Sequence, residues 1–257
     1  MKKLFAVAVM AVLVLSGCAV KQPTPRYERD KQANRTVIQS GKQVEIFYHA
    51  DDFGVVDLGG SKSVGLLGIL GPIGLLAGLG ADAAHKLDSK SRTVRRSEEF
   101  SKLIADNLPD DSINQTFARQ IGDQLEKDGR QVKVTKVTRP GGSDDLSQST
   151  SADLVPTDGY MQLWLRVSTG YGATSATDSY KPMTIIEYAL KDPEGTPLMS
   201  RSFTRFYGES DKTYLTYAGL LGDYKAARDE LGARLTYWSS PVYTEIFQFS
   251  DAVASTK

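Results

Sequence analysis

Between Lys62 and Asp82 the chain runs for nineteen residues without a charge, and Val64 to Ala81 carries glycine at 65, 68, 71, 74, 78 and 80. Each glycine inside a helix costs about 1 kcal/mol relative to alanine, so helix propensity does not select this stretch. Its length approaches the roughly 20 residues that a spanning helix needs, but Gly71-Pro72 sits at its centre and divides it. The pattern predicts two short apolar halves, a bent hydrophobic hairpin inserted over residues 59–84. Gly65, Gly68, Gly71 and Gly74 recur every third residue, and Gly74 with Gly78 forms a small-xxx-small pair. Such faces let backbones approach closely, in lipid, against a second copy, or on the protein's own sheet. All three contacts stay open at this level.

The N-terminus is easier to read. Lys2 and Lys3 precede an apolar run from Leu4 to Leu15, too short to span a bilayer as a mature helix, so residues 1–17 read as a signal peptide. The next residues, Leu15-Ser16-Gly17-Cys18, resemble the lipobox of bacterial lipoproteins, and Cys18 is the only cysteine in the chain. The resemblance implies that Cys18 becomes an acylated N-terminal residue and that the mature chain has 257 − 17 = 240 residues. Several acyl chains on one residue anchor firmly, since each buried CH₂ contributes about 0.8 kcal/mol. Ala19, where aspartate would favour inner-membrane retention, implies by the same analogy the outer membrane with a periplasm-facing domain. Acylation of the single cysteine leaves none for a disulfide. The composition of the Gly-rich run is similar to the hydrophobic segments of TraT-type surface-exclusion lipoproteins; no residue is carried across from them.

Residues 18–36 are polar, with Pro23 and Pro25 and no apolar period, and read as a lipidated tether. Gln43 to His49 alternates like a strand, with Val44, Ile46 and Tyr48 on one face. Lys86 to Glu99 is dense in charge and reads as a solvated connection, with a short helix toward Phe100, Leu103 and Ile104. Ile113, Phe117, Ile121 and Leu125 recur every four residues between an Asp110-Asp111-Ser112 cap and Asp128-Gly129, which predicts a helix followed by a strand over Gln131 to Thr138. Arg139 to Gly159 reads as loop. Strands are then expected at Tyr160 to Val167, Pro182 to Leu190 and Leu198 to Phe206, the last two joined by an Asp192-Pro193-Glu194-Gly195 turn. The long connection from Ser168 to Lys181 presents Tyr171 and Tyr180, a candidate ligand loop. A second long helix is expected from Tyr217 to Trp238, ended by Ser240-Pro241, with a short aromatic segment after it.

Catalytic constellations are scarce. With Cys18 acylated and only His49 and His85 present, Cys/His nucleophilic catalysis and a three-His zinc site are excluded. No Gly-x-Ser-x-Gly elbow occurs, and the Gly-rich run lacks the Lys-Ser/Thr that a phosphate loop requires. His49-Ala50-Asp51-Asp52 is the one compact polar cluster; a strand-end turn bonded to its own backbone is the commoner use of such residues than a cation site, so no metal and no cofactor are assigned. With 31 basic and 31 acidic side chains and no basic block, nothing points to nucleic acid.

These readings predict an α/β or α+β fold: residues 37–250 as one domain, an antiparallel or mixed sheet of about five strands with two main helices on one face, and a polar tail at 251–257. The function they predict is non-catalytic: assembly, oligomerisation or docking of an envelope protein partner by a lipid-anchored protein. The alternative is a periplasmic module binding a small ligand or cell-wall component.

Overall fold

The computed structural model describes residues 24–57, 83–108, 112–140, 145–148, 154–173, 178–206 and 212–249. The signal segment, Cys18, the glycines at 65, 68, 71, 74 and 78, and the tail 251–257 lie outside the described residues. In order come helices α1 (Arg26–Ala33) and α2 (Arg35–Ser40), strands β1 (Gln43–His49) and β2 (Phe53–Asp57), helices α3 (Ala83–Asn107) and α4 (Ile113–Lys127), strands β3 (Gln131–Val137), β4 (Met161–Ala173), β5 (Lys181–Lys191) and β6 (Pro197–Phe206), and helices α5 (Tyr217–Gly222), α6 (Tyr224–Tyr237) and α7 (Ser239–Phe247).

Helix α4 forms where its period and its caps agree. The Ser112 side chain accepts from the Gln115 amide at the N-terminus, which satisfies one of the donors a helix start leaves open. At the other end Gly129 takes φ +80°, its amide donates to Glu126 O and that of Arg130 to Leu125 O. This is a Schellman closure, and a left-handed residue there favours glycine. The chain then turns directly into β3.

The strands form one mixed six-stranded sheet in the order β3-β1-β4-β5-β6, with β2 also on β4. Strand β1 is parallel to β3 and to the first part of β4, Val44 opposite Met161 through Phe47 opposite Trp164. Strand β2 lies parallel to the last part of β4, Phe53 opposite Thr169 through Asp57 opposite Ala173. The β4-β5-β6 meander is antiparallel, and Gly195 closes its second turn at φ +86°. The sixth strand is β2, whose five residues continue an edge that β1 begins.

On one face Val44, Ile46, Leu163, Leu165, Ile186, Tyr188 and Leu190 pack against Phe117, Ile121, Leu125, Leu231, Leu235 and Ile246. The alternation in β1 sorts its side chains as expected, yet the second face is buried too. Phe47, Trp164 and Ala189 are covered by Leu146, with Leu154 and Val137 alongside; the stretch read as loop therefore roofs the sheet.

Three expectations are corrected. From Arg26 the segment read as tether is helical, because docking and not an apolar stripe holds it: Lys31 Nζ donates to Glu245 O and Gln248 O at 2.5 Å, and Arg201 lies over the Tyr27 ring. The charged zone before Phe100 belongs to the 25-residue α3, whose inner face is Thr93, Phe100 and Ile104. The stripe from Tyr217 to Trp238 is divided at Asp223, and a third helix begins at Ser239. Pro241 does not interrupt it, since it sits in the first turn of α7, where no intrahelical amide bond is lost.

Candidate functional site

Strands β1 and β2 share one partner, so the link between them, Ala50 to Asp52, must pass beside the middle of β4. The polar cluster singled out in the sequence sits here, and each of its side chains is committed. The Val167 amide donates to His49 Nε2 at 3.1 Å, which leaves Nδ1 as the protonated nitrogen, 2.7 Å from Ala50 O. Asp51 crosses to α4 and accepts from Ser112 Oγ and from the Ile113 and Asn114 amides, each at 2.9 Å. Asp52 pairs with Arg139 at 3.4 Å, and Arg139 also donates to Val167 O and to Ser168 Oγ. Next to it Arg166 grips Glu187 with two bonds, at 2.6 and 3.1 Å.

The electrostatics follow from burial. Loss of solvent, with Arg139 and Arg166 nearby, holds the His49 imidazole down to about 3; it is neutral. Burial raises the Asp52 carboxyl, opposed by the Arg139 charge. The three residues of the cluster point to three different partners and share no space for an ion. Among the described residues no group of three His, Cys, Asp or Glu side chains is placed to hold a metal. Sequence reasoning found His49, Asp51 and Asp52 but missed Arg139, Arg166 and Glu187. A signal existed for Arg166: an arginine inside the apolar run of Met161 to Val167 must be paired if both sheet faces are covered.

Beyond the link, β2 runs outward and α3 returns beside it. Ser101 Oγ accepts from the Phe53 amide and donates to Phe53 O, both at 3.2 Å, and Ser97 Oγ accepts from the Val55 amide at 2.9 Å. Rising residue numbers in β2 thus meet falling numbers in α3. The serines serve the strand edge that β4 leaves open. Residues 58–82, which include the Gly-rich run, connect these two elements.

The tyrosines expected in a ligand loop are at the base of this β2-α3 unit. Strand β4 continues to Ala173 instead of ending at Val167, and this carries Tyr171 into the core, fully buried. Edge-on ring contacts link Phe53 to Phe100 at 5.9 Å, Phe100 to Tyr171 at 6.3 Å and Tyr171 to Tyr214 at 5.4 Å. The Tyr171 hydroxyl donates to Ala227 O at 3.2 Å, and burial pushes its phenol well above the ordinary range. Tyr180 takes a bond from Arg96 at 2.5 Å and lies 6.5 Å from Tyr217. Both residues therefore anchor α3 and are not exposed to a ligand. Tyr171→Phe is expected to lower the unfolding free energy by about 1 kcal/mol, the net worth of one internal hydrogen bond, measured by denaturant titration. An unchanged midpoint would return Tyr171 to the list of surface residues.

One close approach fixes how β2 lies on β4. Gly170 is opposite Gly54, and a methyl group at Gly170 would run into the Gly54 backbone. Because backbone cannot swing aside as a long side chain does, Gly170→Ala is expected to cost about 2 kcal/mol by thermal unfolding. Gly222, whose Cβ would meet nothing within 4 Å, is the matched control and should stay near neutral.

The class this defines is a mixed-sheet α+β domain, helices on one face and an ordered polypeptide roof on the other. No family model matches the chain, and no curated protein does. Among solved structures it is similar to an uncharacterized protein at 13% identity, TM-score 0.30, covering 80% of this chain and 92% of that one. It is similar also to a Xanthomonas campestris protein assigned to the DUF330 family at 10% identity, TM-score 0.30, covering 80% and 86%. Likeness at that level specifies no activity.

Proposed function

We propose that this chain is a lipoprotein of the outer membrane, acylated at Cys18 and facing the periplasm, whose domain works without catalysis as an assembly or docking factor for the cell envelope. The observation that supports the reading most is the β2-α3 unit. Both ends of the Gly-rich connection are fastened to the domain at one place, by Ser97, Ser101 and the Phe53-Phe100-Tyr171 ring contacts. A firm base under a glycine-faced apolar segment suits contact with lipid, an envelope protein partner or a second copy of the chain. Direct anchoring is the task of the acyl group, so this segment serves contact and not attachment. The buried Tyr171 removes the feature that supported a small-ligand or cell-wall module.

The test separates anchor from contact. Cys18→Ala should release the protein from membranes while leaving its thermal transition unchanged. Deleting residues 64–81 should leave the domain folded and lower the mass of the detergent-solubilised particle to that of one chain. If the Cys18→Ala protein is strictly monomeric without detergent, and the deletion does nothing but unfold it, the reading fails.

A further inference from the structure

The sheet ends at β6, and its outer edge has no strand partner. An open edge is a template for pairing, and proteins usually blunt it with proline, lysine, a bulge or a covering element. Here those devices are confined to the start of the strand. Pro197 and the register shift opposite Leu190 and Lys191 lie there, and Asn34 Nδ2 donates to Leu198 O at 2.8 Å. From Ser202 to Arg205 none of them operates.

The side chains along this half are of a particular kind. The sequence Pro197 to Phe206 contains two arginines and no acidic residue. Phe203 lies 5.2 Å from the Trp238 ring, the Arg205 guanidinium sits 5.2 Å over the same ring, and Tyr237 flanks Trp238 at 5.6 Å while 71% exposed. Arg201 is answered by Glu245. Arg205 has no described carboxylate and is held by the indole face alone. Trp, Tyr and Arg are the residues on which interface energy concentrates.

Charge decides the occupant. If a second copy paired antiparallel about Phe203, Arg201 of each would face Arg205 of the other, and like charges directly opposite are unfavourable. We propose that the open half of β6 receives an extended acidic segment of a partner protein, added to the sheet as a strand. On the face shared by Arg201, Phe203 and Arg205 the segment carries the pattern acid-x-apolar-x-acid. Its carboxylates meet the arginines and its apolar residue lies against Phe203 and Trp238. This surface is separate from the β2-α3 unit and does not depend on it.

The probe is a fluorescein-labelled peptide, Thr-Glu-Thr-Val-Thr-Glu-Thr, with lysine for glutamate as control. The glutamate peptide should bind saturably in an anisotropy titration and slow hydrogen exchange at amides of residues 201–206, while the lysine peptide should not bind. Arg205→Glu should weaken the glutamate peptide at least about tenfold and let the lysine peptide bind. Tyr237→Ser, at an exposed site, should weaken it by a smaller factor. Absence of saturable binding, protection of amides elsewhere, or affinity indifferent to Arg205→Glu would overturn the proposal. So would concentration-dependent dimerisation that protects β6 without peptide, which would give the edge to a second copy.

Discussion

Between pH 6.5 and pH 4 the protein is expected to lose about 3 kcal/mol of unfolding free energy through His49 alone. An unfolded histidine takes up its proton near pH 6.5, whereas the folded ring is held to about 3. Because the folded value is depressed, the contribution is fully present above pH 6.5, where neither state is protonated. It falls as the pH drops, as the unfolded state alone gains a proton, by about 1.4 kcal/mol per unit until the folded ring titrates near 3. The cause is local. A second ring proton would break the Val167 bond to Nε2 and place a cation beside Arg139 and Arg166. Glu45 adds to the acid side: its burial opposes ionisation, but bonds from Thr135, the Thr157 amide and Lys133 outweigh this and hold the carboxyl below its ordinary value. That contribution is kept above the unfolded carboxylate range and lost as pH falls through the folded one. Urea titrations from pH 7 to 4 on the native protein and on His49→Gln measure the effect. The variant, less stable at pH 7, should show a visibly flatter slope, and parallel slopes would refute the assignment.

Removing Glu187 is expected to cost about 3–5 kcal/mol. Its cross-strand partner Arg166 is 3% exposed and stands directly opposite it in the β4-β5 register. A guanidinium left without that carboxylate sits uncompensated beside Arg139, and a broken buried pair costs far more than an absent one. The contrast gives the test: Glu187→Ala should be severely destabilised, while the double variant Arg166→Met, Glu187→Leu should recover most of the loss in a chemical denaturation series. If the double variant is as unstable as the single one, packing and not charge governs the site. The loss should also couple to the acid slope, since both arginines face His49. The effects are then non-additive.

What could be read in advance divides along physical lines. Helix α4, strand β1 and the Asp192 to Gly195 turn were legible because local and tertiary demands coincide: a four-residue period lies between a serine cap and a left-handed glycine, and an alternation fits the pleat. Helix α1 was not, since nothing in Arg26 to Ala33 carries an apolar stripe; its stability comes from Lys31 reaching carbonyls at residues 245 and 248. Helix α3 was underestimated for the same reason, because Ser97 and Ser101 bind the β2 backbone with polar atoms that no hydrophobic pattern records. Tyr171 misled because Gly170 and Gly172 look like loop residues. In fact Gly170 admits β2 at close range, and the strand passes straight through. The His49 cluster was found but not its cations, which come from Arg139 and Arg166, some ninety and more positions downstream.

The parallel pairing of β1 sets an order of events. Val44 has no strand beside it until Gln131 and Met161 have been made, whereas β4, β5 and β6 are joined by short hairpin connections. Distant closures are the slow steps of folding because chain entropy is lost before contacts return it. The meander is therefore expected to assemble first and the N-terminal strands to be seated last. In a chain delivered across a membrane N-terminus first, the earliest strand to emerge waits the longest for a place. Val44, Ile46 and Phe47 spend that interval exposed, a window in which a periplasmic holdase would find its substrate.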